Sequence, residues 1–131
     1  MPIKKEVIIP AGGAKPLAPY SPGIRAGQFV YTAGQVGLDP ATQKLVEGGV
    51  QAQARQSLEN VKRILEAAGS SLAQVVKTTV FMTEMSNYGP INEIYGQYFT
   101  ENPPARSAVA VKELPAGALV EIEAVALVTE S

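Results

Sequence analysis

Arg106, Glu121 and Glu123 lie in the stretch PARSAVAVKELPAGALVEIEA, residues 104–124, which otherwise reads as two apolar strands joined by a turn. Charged side chains on such strands need partners, either across subunits as ion pairs or in a site. The rest of the composition limits which site that could be. There is no Cys and no His among the 131 residues. Thiol nucleophiles, disulfides, Ser-His-Asp relays and nearly all zinc centres are therefore excluded. Any catalysis has to use carboxylates, hydroxyls, Arg, Lys, the backbone or water, with no metal site expected.

The elements that must position these residues follow from the hydrophobic pattern. Between Gly49 and Ala68, the residues Val50, Ala54, Leu58, Val61, Leu65 and Ala68 recur at steps of three and four, with Gly69 at the C-terminal cap position. That spacing predicts a helix. Ser71 to Gln74, SLAQ, has the capping-box pattern of a short turn, and VVKTTVFMT after it reads as a β-branched strand. A second helix is expected from about Tyr88 to Phe99, with Tyr88, Ile91, Tyr95 and Tyr98 as its apolar stripe. Gly89-Pro90 makes its start irregular.

Upstream, a Pro- and Gly-rich stretch from Pro10 to Pro22 precedes IRAGQFVYTAGQV, which predicts two strands around a turn at Ala26-Gly27, ended by Gly34 and then Asp39-Pro40. Downstream, strands are expected at Ser107 to Val111 and Leu119 to Val128, with a turn at Leu114 to Gly117. In the last strand Val120, Ile122, Ala124 and Ala126 point one way and Glu121, Glu123, Val125 and Leu127 the other. The fold class is thus α+β, one domain spanning 1–131, with a mixed sheet of five to six strands and two helices on one face. No linker, low-complexity tract or internal repeat divides the chain.

A sheet face that two helices cannot cover, and that is largely apolar, invites burial against another copy, so a homo-oligomer is expected. With 11 basic and 12 acidic residues and a net charge of -1, the chain builds no field for nucleic acid or anionic membrane. Val7-Ile8-Ile9 is too short for a signal peptide's apolar region, and no run reaches membrane-spanning length, so a cytoplasmic location is expected.

PPARSAVAVKELPAGALVEIEA resembles the Rid/YjgF family of reactive-intermediate (enamine/imine) deaminases at P-A-R-S, V-x-V, L-P and E-I-E-A. PYSPGI, VYTAGQV, QARQSLENVKRILEAAGSSLAQVVKTTVFM and INEIYGQYF also match, in order, over essentially the whole chain. The resemblance implies a chorismate-mutase-like subunit, a homotrimer whose sheets form a central barrel, and sites in the clefts between subunits. It implies hydrolysis of 2-aminoacrylate, 2-aminocrotonate and their imines to 2-keto acids and ammonia, without a cofactor.

By the same resemblance Arg106 takes the carboxylate-binding position, Glu121 the water-positioning one, and Tyr20 that of the site tyrosine. Asn92, Gly34, Ala33 and Ala108 stand at substrate-contacting positions, Ala33 and Ala108 where Ser and Cys are common. The residue types suit the reaction. A planar guanidinium grips a carboxylate through two parallel hydrogen bonds and fixes its plane. A carboxylate can aim water at C2 and take its proton. Glu123 has no role by the resemblance and is read as structural.

Two other readings stay open: a non-catalytic binder of small carboxylates using the same arginine, and a ribonuclease or translation inhibitor. The latter would need a basic strip with stacking aromatics, which Lys4-Lys5 and Lys62-Arg63 do not provide. If LPAG closes a simple hairpin, Glu121 lies across from about Ala110 and Arg106 across from about Val125, roughly 13 Å apart along the strands. A working site would then pair Arg106 of one subunit with Glu121 of its neighbour.

Overall fold

The computed structural model describes residues 3–12, 16 and 18–128. Part of the irregular stretch expected from Pro10 to Pro22 lies outside these residues. The strands are β1 (Lys5–Ile8), β2 (Gly23–Ala26), β3 (Phe29–Thr32), β4 (Gln35–Val36), β5 (Val75–Met82), β6 (Ala105–Ala110) and β7 (Val120–Leu127). The helices are α1 (Gly49–Ala67) and α2 (Tyr88–Tyr98). They match the periodic stretches closely. SLAQ does form a short 3₁₀ turn, Leu72–Gln74, but Ser71 makes no side-chain capping bond.

Seven strands form one mixed sheet in the order β1-β2-β3-β7-β5-β6, with β4 also pairing to β7. This exceeds the five or six expected, because β1 is exposed at three of its four positions and shows no alternation, and β4 has only two residues. The apolar alternation in β7 and β5 buries Val120, Ile122, Ala124 and Ala126 together with Val75, Val80 and Met82. These residues share a core with Leu58, Val61, Ile64 and Leu65 of α1 and Ile91, Ile94 and Tyr95 of α2.

The expected hairpin at LPAG does not form. Pro115–Gly117 is a 3₁₀ turn inside a longer crossing, and β5 lies between the two strands it connects. β6 runs parallel to β5, returned there by α2, and β7 runs antiparallel to β5 on its other side. Burial explains the order. β7 alternates buried and half-buried residues along its length and takes the centre, whereas β6 is mostly exposed and takes the edge.

Polar side chains on α1 attach the site-bearing end of the sheet. Gln53, Ser57 and Asn60, spaced four and three apart on one helical face, are all buried. The Gln53 amide oxygen accepts from Leu119 N at 2.8 Å, and the Ser57 hydroxyl donates to Gln35 O at 2.6 Å. The Asn60 amide donates to Val36 O at 3.2 Å and to Leu38 O at 2.9 Å. These carbonyls belong to a segment that has only two residues of sheet pairing, so α1 supplies the hydrogen bonds the sheet does not. Gly37 lets the backbones meet: a Cβ there would stand 2.7 Å from Gln53 O.

Replacing Asn60 by Ala should therefore remove both bonds and leave Leu38 O without its amide donor, while Val36 O keeps the Leu38 N–H at 2.8 Å. At about 1–3 kcal/mol for a buried group left unsatisfied, the loss should lower the melting temperature by several degrees in a thermal unfolding experiment. Lys62→Ala, on the same helix, should leave it nearly unchanged.

Candidate functional site

The sequence-derived site residues fall into two groups on opposite faces of the sheet. Arg106 pairs in register with Thr78 and Thr78 with Ala124, all on the helix-covered side. Glu121 pairs with Phe81, and Phe81 with Val109, on the other side. Ala124 and Glu121 are three residues apart on one strand, an odd number, so their side chains point in opposite directions. Two strand spacings and three residues of rise add about 10 Å in each direction. Within one chain these two groups do not converge.

Around Glu121 the chain builds an open cleft of about 360 Å³, lined by Ala18, Tyr20, Ala33, Gly34, Pro115 and Glu121. Its origin is a bulge. Tyr31 of β3 pairs with Val125 and Gln35 of β4 with Ile122, so β3 to β4 carries one residue more than the strand it faces. The extra residue bends the strand away from β7 at Ala33-Gly34. Glu121 fills the space left by the missing Gly34 side chain, since a Cβ at Gly34 would lie 2.5 Å from Glu121 Oε2. Four of the predicted residues, Tyr20, Ala33, Gly34 and Glu121, meet here.

Among the side chains lining the cleft only those of Glu121 and Tyr20 carry a polar group. Burial raises the Glu121 pKa above its ordinary 4.5, and the nearby Glu123 adds a second upward push. A carboxyl raised in this way is a stronger base than a solvated one. It also weakens the fold. The ionised form is disfavoured in the folded chain, so the penalty is absent below the unfolded pKa of about 4.5 and appears as pH rises through the higher folded value. Glu121→Gln should accordingly melt at a higher temperature than the wild type at pH 7, and the gap should close as the pH is lowered to 4.

On the other face Arg106 is held by one side of α2. Its Nη1 donates to Asn92 Oδ1 at 2.8 Å and its Nη2 to the Tyr88 hydroxyl at 3.0 Å. The guanidinium carbon lies 4.7 Å from the centre of the Tyr95 ring and 5.4 Å from that of Tyr88. Residues 88, 92 and 95 are spaced four and three apart, one face of the helix. Tyr95 is pinned in turn: its hydroxyl and that of buried Thr78 are 2.7 Å apart. Burial raises the Tyr95 pKa, and the Thr78 bond and the Arg106 charge oppose that rise.

Asn92 thus contacts Arg106, and Ala108, one pleat along β6, packs against the main core. Tyr88, Tyr95 and Thr78 were not among the sequence-derived candidates. The tyrosines were read as members of an apolar stripe, and only their hydroxyls on the side facing an arginine-bearing strand could have marked them. Glu123 lines a separate shallow depression with Tyr31, Lys77 and Thr79 on the helix-free face. Among the described residues, no group of three Asp or Glu is placed to hold a metal ion.

A family profile described as Endoribonuclease L-PSP matches residues 12–128. The chain belongs to the Rid/YjgF family. It is 50% identical over 122 residues to a RutC family protein from Pyrococcus horikoshii, covering 93% of this chain and 97% of that protein. The human 2-iminobutanoate/2-iminopropanoate deaminase is 44% identical, covering 94% of this chain and 90% of that enzyme. Among solved structures, TdcF from E. coli with bound serine superposes with a TM-score of 0.89 at 40% identity, covering 95% of this chain and 99% of that one. Members of this Rid/YjgF family therefore carry deaminase, RutC and endoribonuclease names. No helix among the described residues is long and apolar enough to cross a membrane.

Proposed function

We propose that the protein hydrolyses 2-imino acids, the tautomers of 2-aminoacrylate and 2-aminocrotonate, to 2-keto acids and ammonia, as a homotrimer. Carrying this reading is the division of complementary groups between two faces: a pre-oriented cation on one and a basic carboxylate in an apolar cleft on the other. Each is half of what an imino acid needs. The deaminase name of the human relative supports the same chemistry.

The helix-free face supports assembly. Val7 is 49% exposed, Tyr31 46% and Val109 43%, with Phe29 and Leu127 beside them. In a ring of copies this apolar face is covered, and the Arg106 group of one subunit meets the Glu121 cleft of the next.

In such a cleft Arg106 grips the substrate's carboxylate and fixes the plane of the C=N bond. Glu121 accepts a proton from a water whose oxygen attacks C2 from above that plane. The imine enters already protonated at nitrogen, so formation of the C–O bond sends the C=N π electrons onto nitrogen and gives a neutral tetrahedral aminoalcohol. Glu121 then returns its proton to the nitrogen, the C–N bond breaks, ammonia departs, and loss of the hydroxyl proton leaves the keto acid. A protonated imine is electrophilic enough that a carboxylate base suffices and no histidine is needed.

The experiment is to couple the protein to a pyridoxal-phosphate enzyme that generates 2-aminoacrylate and to follow keto-acid release. Acceleration over the spontaneous rate is expected. No acceleration, with keto-acid binding retained, would favour the carboxylate-binder reading. Arg106→Ala should lose at least about tenfold in kcat/KM, since the charge-assisted hydrogen bonding to the carboxylate goes. If that variant instead dissociates with activity per trimer intact, Arg106 is an interface residue only. Glu121→Gln should bind pyruvate normally and lose kcat.

A shared site has its own test. Refolding Arg106→Ala chains together with Glu121→Ala chains gives mixed trimers in which one cleft joins an intact Arg106 to an intact Glu121. About a quarter of wild-type activity should return from an equal mixture of the two inactive proteins, three-quarters of trimers being mixed with one cleft in three restored. A site contained in one chain would leave the mixture dead.

A further inference from the structure

We propose that the Tyr88 hydroxyl is a second anchor for the substrate's carboxylate, donating a hydrogen bond beside those of Arg106. This rests on the imino-acid reading above and adds a specificity-determining residue to it.

The direction of one hydrogen bond carries the inference. A guanidinium has five N–H donors and no acceptor, so in the 3.0 Å contact between Arg106 Nη2 and the Tyr88 hydroxyl the phenol oxygen can only accept. Its own proton therefore points away from Arg106 and toward whatever approaches it. A phenol that accepts from a cation is polarised into a stronger donor.

Access gives the same answer. The Tyr95 ring lies over the guanidinium at 4.7 Å, and Asn92 occupies Nη1. Tyr88, in contrast, is 39% exposed and stands at the first turn of α2, preceded by the 3₁₀ turn Met85–Asn87. An incoming carboxylate reaches the guanidinium past this residue. One of its oxygens can then take a remaining Arg106 N–H, and the O–H of Tyr88 completes a second bond without displacing the contact between the two residues. A carboxylate is held in this way by one charged and one neutral donor, and a neutral ligand of similar shape gains much less from the pair.

The test is Tyr88→Phe, which keeps the ring beside the guanidinium and removes only the hydroxyl. Pyruvate binding, measured by calorimetry, should weaken about tenfold. KM for the imino acid should rise in step, with kcat within about twofold of wild type. Binding of pyruvamide, which lacks the charged carboxylate, should change little. Unchanged pyruvate affinity in an otherwise active protein would overturn the anchor, and so would an equal loss for pyruvamide, which would mark Tyr88 as a packing residue. Failure of the wild type to accelerate imine hydrolysis would sink the imino-acid reading first, an outcome separate from either of these.

Discussion

Side chains along a strand alternate between the two faces of a sheet, and the central strand β7 enforces that alternation with four fully buried residues in a row of every-second positions. Nothing can turn Glu121 toward the helices without turning Ile122 and Ala124 out of the core. The same lock, passed through β5, keeps Arg106 on the helix side. Core packing therefore decides that the cation and the carboxylate of one chain stay apart, and in the proposed assembly the apolar helix-free face is the surface that separate chains would share.

Each half of the site is then tuned by one helix. The buried polar residues Gln53, Ser57 and Asn60 of α1 hold the segment carrying the bulge, and the bulge gives Glu121 its place against Gly34. Tyr88, Asn92 and Tyr95 of α2 hold Arg106. Both helices use positions spaced four and three apart, so each acts as a rigid rail along a single strand segment. Contacts between the helices keep the two rails in register, through Arg55 to Gln97 and Tyr98 to Glu59. Burial gives Glu121 its basicity and costs the fold stability, a conflict common at functional sites.

Much of this was legible in the sequence because it depends on periodicity. The helix from Gly49, the strand VVKTTVFM and the alternation in β7 each repeat a pattern over eight or more residues. What escaped depends on pairing. Leu114 to Gly117 has the composition of a hairpin turn, but strand order is decided by which strand buries the more complete apolar face against the helices, and no residue of the turn records that. β1 leaves no pattern because it is exposed at three of its four positions, and β4 because it has only two residues. The residues of the Glu121 cleft were found together, whereas the α2 contacts to Arg106 were hidden because a tyrosine on a helix stripe looks the same whether it fills a core or carries a hydroxyl to a ligand.

The place of Arg106 at the edge of the sheet has one more consequence. Among the described residues β6 has no neighbour on its outer side, and apart from Arg106 it is built of Ala, Ser and Val, an unmarked ladder of N–H and C=O groups that could recruit a strand from another molecule. A charged side chain turned inward on an edge strand is one of the devices that discourage such pairing, because a strand added there would have to desolvate it. The residue proposed to grip a substrate is thus also placed to discourage fibril-like stacking, so a substitution at position 106 is expected to affect solubility as well as any turnover.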